Sequence, residues 1–247
     1  MNRYLLQLAY LGTNYHGWQI QDNAVTVQEK VEAALAELFS EKITTHSCSR
    51  TDAGVHAASF YCHFDASYPF PVDRLPYALT THLPPDIRPL SARIVPPTFH
   101  ARYSCRGKEY RYLIDNSVLG DPFLIDRAWH YPFLLDEKEM DRTAKVFLGQ
   151  HDFAAFRAQG SSVKNTIRTM TRSDVARDGS RVIFTVAGDG FLYNMVRIML
   201  GTLIAHQRHK LDREPEEIFA TGDRTLAGFT APPQGLYLEK VFYDDPE

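Results

Sequence analysis

The sequence predicts an α+β protein made of two ferredoxin-like halves. A continuous, mostly antiparallel sheet would carry helices on one side and a central cleft where the halves meet. Three observations lead there. The first hundred residues follow the order β-α-β-β-α-β, the split βαβ unit. The same order recurs after Pro96 and Pro97, which interrupt the apolar patterning. The chain has 247 residues, 44% hydrophobic and 23% charged, enough for one large or two ordinary globular domains. The boundary falls at the end of the first repeat, giving domains 1–104 and 105–247.

Each element has a local reason. Residues Arg3 to Leu11 alternate as a strand, and Thr26 with Glu29 forms a capping box that opens a helix through Phe39. Val27, Val31, Ala34, Leu35 and Leu38 are its apolar stripe. Thr44–Ser49 and Ala58–Asp65 read as strands, followed by a helix from near Asp73 and a strand over Ile87–Val95. In the second half, Arg106–Asp115 reads as a strand and Asp136–Leu148 as a helix. Strands Ile167–Ala176 and Arg181–Ala187 join at Asp178 and Gly179, a hairpin turn pair. A helix over Phe191–His206 and a strand over Leu236–Tyr243 complete the repeat.

Composition and motifs exclude several classes. No apolar run reaches the roughly 18 residues of a membrane span, and the longest candidate carries Asn194 and Arg197. The N-terminus has no signal-peptide pattern, so a cytoplasmic protein is expected. Cys48, Cys62 and Cys105 are odd in number and widely spaced, unlike a disulfide framework, and together with His56 and His63 they fit no zinc-ligand spacing. Gly12 to Gly17 lacks the Lys-Ser/Thr of a P-loop, Gly188 and Gly190 fall short of a dinucleotide fingerprint, and no G-x-S-x-G elbow occurs. A net charge of −3 opposes bulk attraction to nucleic acid, but cations cluster locally. Arg102, Arg106, Lys108 and Arg111 form one group, Arg168 and Arg172 a second, and Arg208, His209 and Lys210 a third. Each also fits a solvated face.

The octapeptide from Arg50 to Ala57 concentrates the chemistry. Asp52 lies beside Arg50 on a short turn with Gly54 between two apolar, alternating segments. A guanidinium nearby favours the ionised carboxylate, and glycine permits a tight turn, so Asp52 is the leading nucleophile or base. On the helix from Phe191, Arg197 and Gly201 fall opposite the stripe of Leu192, Met195, Val196, Met199 and Leu203. Gly201 there leaves room for a packed backbone or for a ligand. On the strand after Arg106, Tyr110 and Tyr112 share a face; aromatics among cations can stack on a displaced base, or both rings can fill the core. A glycosidase would need a second carboxylate flanking the site, and Asp65 shows no sign of that pairing. An RNA-binding module without catalysis would have no use for Asp52, which repels phosphate.

Arg50 to Ala57 resembles the RTDAGVHA signature of TruA-type tRNA pseudouridine synthases. Further anchors agree in order: Tyr10, Gly12, Tyr15 to Gln19, Lys108, Tyr110, Tyr112, His151 to Phe153, Phe191 to Arg197, Gly201, Ala231, Pro232, Gly235 and Leu236. The family usually carries glycine before the signature arginine, where Ser49 stands here. The resemblance implies isomerisation of uridines at tRNA positions 38 to 40, in the anticodon stem-loop, by a homodimer using neither cofactor nor metal. It implies Asp52 as nucleophile at C1′ or base at C2′, an ion pair from Arg197, and Tyr110 stacking on the uracil or accepting a proton. Leu236 would close the apolar side of the pocket. Arg50, Arg106 and Lys108 are candidate backbone contacts by position.

Overall fold

The structure is a computed structural model that describes residues 1–160 and 163–244. The chain forms two compact units: Met1–Arg106 together with the chain from Tyr237, and Gly107–Leu236. The expected division falls after residue 104, with all of 105–247 in one domain. The last strand belongs with the first unit, not with the second repeat that precedes it.

In the first unit, β1 (Asn2–Tyr10), α1 (Val27–Phe39), β2 (His46–Ser47), β3 (His56–Ala66), α2 (Leu75–Thr80) and β4 (Ile87–Val95) follow the predicted order. β1 is central and pairs antiparallel with both β3 and β4, while β2 adds antiparallel to β3. This is the strand order that a split βαβ unit gives. The capping box is present, with Thr26 accepting from the Glu29 amide and Glu29 accepting from the Thr26 amide. α1 buries Val27, Val31, Ala34, Leu35 and Phe39; Leu38 of the expected stripe is only half-buried. Phe39 packs against Tyr4 and Phe64, so the helix covers the sheet face bearing Phe60, Cys62 and Phe64.

On the opposite face, His63 is 2% exposed and is covered by the segment from Pro96 to Ser104. Its Nδ1 accepts from the Ala101 amide at 3.1 Å, and its ring stacks on His46 and meets His100 edge-on. Arg3 secures the same segment by donating to the carbonyls of Pro97 and Phe99 while forming a bidentate pair with Asp65.

The second unit begins with β5 (Cys105–Asp115), β6 (Trp129–His130), α3 (Glu137–Ala144) and β7 (Gly149–Asp152). β8 (Ile167–Asp178), β9 (Arg181–Gly188), α4 (Met195–Gln207) and α5 (Pro215–Thr221) follow. Its main sheet runs β5-β9-β8-β7, antiparallel throughout, with β6 parallel to β5. Gly179, at φ 58°, makes the tight connection between β8 and β9. His151 stacks on Phe219, and Phe153 joins Phe147, Phe156 and Phe219 in an aromatic core cluster. β10 (Leu236–Tyr243) then returns to pair in parallel with β3, Tyr237 opposite His56.

One local expectation is corrected, and one open alternative is decided. The helix predicted from Phe191 starts at Met195, because Asn194 before it is left-handed at φ 58° and no α-helix propagates through that conformation. The space beside Gly201 is filled by backbone: a Cβ there would lie 1.8 Å from the Phe229 carbonyl oxygen, so no ligand enters on that face. Among the described residues, no helix is long and apolar enough to cross a membrane.

His63 makes the first unit acid-sensitive. Burial, reinforced by His100, His46 and Arg3, lowers its pKa to about 4, below the ordinary value of 6.5. The unfolded chain therefore binds the proton more readily, and this contribution to stability falls from pH 6.5 down to about 4, by at most about 1.4 kcal/mol per pH unit. Denaturant unfolding of wild type and His63→Gln across pH 4 to 8 should show the smaller slope in the variant over that window; parallel curves would refute the assignment.

Candidate active site

Asp52 sits in the loop between β2 and β3, half-buried, with Arg50 exposed and Thr51 buried. Backbone and side-chain groups of the first unit hold the loop. The Val55 amide donates to the Asp52 carbonyl at 3.1 Å across a turn whose third residue, Gly54, has φ 75°. That is the position where a type II turn requires glycine. Outside the turn, the Trp18 amide donates to the Thr51 carbonyl at 3.1 Å and the Gly54 amide to the Tyr15 carbonyl at 3.2 Å. The hydroxyls of Tyr10 and Thr51 lie 2.7 Å apart, and the Gly12 amide donates to His56 Nδ1 at 2.9 Å.

The two glycines of the facing segment make this approach possible. A Cβ on Gly12 would meet the Val55 carbonyl oxygen at 2.0 Å, and one on Gly17, at φ 85°, would meet that of Thr51 at 2.4 Å. Trp18, 1% exposed, stacks on Phe60 at 4.1 Å and anchors the segment to the core. Tyr15 donates to Asp86 at 2.6 Å, fixing the other flank and, after burial, contributing to an upward shift of the phenol. His56 was not a candidate from sequence. Wholly buried, it braces the turn by accepting from Gly12 and leans on Tyr237. Ser49 is not among the residues with positive φ, so this position makes no demand for glycine.

Arg197, Tyr110, Lys108 and Leu236 belong to the second unit. Arg197 lies in the first turn of α4, half-buried, and is fixed three ways. Nε donates to the Ala231 carbonyl at 2.6 Å, Nη1 donates to Asn194 Oδ1 at 2.7 Å, and its own carbonyl accepts from the Ala231 amide. Left-handed Asn194 forms no side-chain cap to the helix and serves the guanidinium. Tyr110 is 7% exposed, with its ring edge-on to Phe191 at 4.9 Å. Tyr112 is core: its hydroxyl donates to the Pro232 carbonyl at 2.6 Å, and burial pushes the phenol strongly up, offset in part by Arg197. Gly235 lies against the Tyr112 ring, and Leu236 is buried directly after it. Arg197 and Tyr112 thus meet one segment, Ala231–Leu236.

The basic clusters differ in what they face. Arg106 is exposed and pairs with Asp244 at 2.6 Å, which raises its pKa; Lys108 is half-buried. Arg172 is held by Asp174 and Glu109 and is a structural cation. Arg208 lies over the Phe133 ring at the end of α4. Among the described residues, no group of three or more His, Cys, Asp or Glu side chains is arranged to hold a metal ion.

A family model described as tRNA pseudouridine synthase matches residues 8–104 and 143–244. The chain is 46% identical over 245 residues to the tRNA pseudouridine synthase A of Ruminiclostridium cellulolyticum, spanning 98% of this chain and 100% of the relative. The same name and the same figures hold for the protein of Acetivibrio thermocellus. The protein of that name from Thermoanaerobacter sp. strain X514 is 43% identical over 244 residues, 98% of this chain and all of its own. A braced carboxylate turn, a fixed arginine and this agreement along nearly the whole length place the chain in the tRNA pseudouridine synthase family.

Proposed function

We propose that this tRNA pseudouridine synthase isomerises uridines at positions 38 to 40 in the anticodon stem-loop, with Asp52 as nucleophile or general base and with no cofactor or metal. The observation that carries the reading is the turn holding Asp52, braced by hydrogen bonds to Tyr10, Tyr15 and Trp18 and unable to accept a side chain at Gly12 or Gly17. Such bracing fixes a reactive carboxylate before substrate arrives, which lowers the entropy cost of attack.

The chemistry balances within the substrate. The N1–C1′ bond breaks, the uracil turns, and a C5–C1′ bond forms while the C5 proton leaves and N1 gains one. No electrons are transferred to or from an external group, so the reaction needs no redox partner. Asp52 attacks C1′ and is displaced by C5, or removes the C2′ proton to give a glycal and returns it to C2′ as C5 bonds to C1′. Arg197 pairs with the carboxylate and keeps it ionised; its guanidinium is already aimed by Ala231 and Asn194. Tyr110 stacks on the extruded uracil or accepts the C5 proton, and Leu236 supplies the apolar wall. Extruding a base costs a few kcal/mol and least in loops and at stem ends, which favours the anticodon arm.

Arg50, Arg106 and Lys108 contact the RNA backbone in this reading. The Arg106–Asp244 pair is exposed and weak, so a phosphate can replace the carboxylate. A cytoplasmic homodimer completes the proposal. The dimer is supported by the apolar side chains exposed between residues 118 and 125, including Leu119 at 93%, Phe123 at 83% and Ile125 at 68%, which a second copy would cover.

Three variants test the site. Asp52→Asn should fold and bind unmodified tRNA while pseudouridine formation, mapped on that RNA, falls to background; retained turnover would end the mechanism. Arg197→Ala should lower kcat about a hundredfold, equivalent to about 3 kcal/mol of barrier, with Arg197→Lys recovering part of it. Gly17→Ala forces a side chain into left-handed backbone, costing about 1–3 kcal/mol, and displaces the Asp52 turn. Thermal melting and turnover should both fall, and an unchanged kcat would show that the brace is not needed for chemistry.

A further inference from the structure

The basic run after α4 lies beside a cavity that the proposed chemistry does not use. It has a volume of 490 Å³, within the range of about 300–1,000 Å³ typical of ligand sites. Tyr131, Phe133 and Phe229 give it aromatic walls; Arg208, Lys210 and Asp212 are at its edge. The walls form one connected set, since Trp129 meets both Tyr131 and Phe229 edge-on and Tyr131 meets Phe133. Phe133 and Phe229 remain 57% and 45% exposed. The Arg208 guanidinium lies 4.9 Å from the Phe133 ring centroid and donates to the Tyr131 hydroxyl at 3.1 Å, so it is held against the wall.

We propose that this cavity is a second RNA contact, which takes one unstacked nucleotide of the tRNA with its base against the aromatic walls and its phosphate between Arg208 and Lys210. The inference rests on tRNA as substrate of this enzyme. Base stacking on aromatics with a nearby cation is the general solution for single-stranded nucleotides. Arg208 and Lys210 both line this cavity. RNA brings phosphates, which match the two cations Arg208 and Lys210 at this cavity. Arg197 and Arg208 stand at opposite ends of α4, about 16 Å apart along its axis, so the contact is separate from the reacting uridine.

The test is binding of unmodified full-length tRNA to the intact protein, followed by fluorescence anisotropy at several salt concentrations. Arg208→Gln combined with Lys210→Gln should weaken binding about tenfold and reduce the slope of log affinity against log salt by about 0.7–0.9, the value for one phosphate. Phe133→Ala should weaken binding about three- to tenfold with the slope unchanged. Light scattering on the same samples reports subunit mass. Unchanged affinity and slope in both variants would overturn the proposal, as would a loss of dimer mass with tRNA affinity retained, which would assign the surface to a second copy. Pseudouridine formation by the wild type, measured separately, tests the reaction itself, so failure there is distinct from failure here.

Discussion

The arrangement of the first unit depends on a backbone-to-backbone contact that excludes side chains. Two glycines present bare Cα atoms to the Thr51–Val55 turn, at distances where any Cβ would overlap a carbonyl oxygen. With side chains removed, amide and carbonyl groups of the two segments reach hydrogen-bonding distance, and the turn becomes as fixed as a strand. The flanking residues serve that contact. Trp18 ties one segment to Phe60 in the core, Tyr10 adds a hydroxyl to Thr51, and buried His56 supplies an acceptor for a loop amide that no strand could satisfy.

The second unit uses the same device for a cation. Gly201 of α4 and Gly228 press backbone against backbone, which brings the following segment alongside the helix. Ala231 then exchanges hydrogen bonds with Arg197, donating to its carbonyl and accepting from its guanidinium. Long polar side chains lose much rotamer entropy when fixed. Here the loss is incurred on folding, through the bonds to Ala231 and Asn194.

Much of this was legible in the sequence where the signal is local. The Thr26–Glu29 box, the bounds of Ile87–Val95 and Leu236–Tyr243, and the hairpin at Gly179 follow from residue types a few positions apart. Asp52 and Arg197 stood out as charges on otherwise apolar patterns. What sequence could not give were contacts between distant segments. The occupant of the space at Gly201 was one of two open alternatives until Phe229 was seen there. The pairing of Arg106 with Asp244 joins residues far apart in the chain, and the start of α4 depends on a left-handed asparagine that supports an arginine. Short elements such as β6, β7 and α5 carry too few residues for a periodic signal.

The route of β10 bears on how such a chain is made. Tyr237 and Leu238 lie beside His56 and Ala57, the strand that leaves the Asp52 turn, so an entire unit is interposed in sequence between partners in one sheet. During synthesis the earlier part of that sheet must wait, with one edge of β3 unpaired over these residues, until the interposed unit has emerged and the closing strand arrives. Contacts this remote in sequence are slow to form, and an open edge invites wrong pairing meanwhile. The residues beside the Asp52 turn are thus among the last to be completed, and a truncated product lacking the final strand would leave them unsupported.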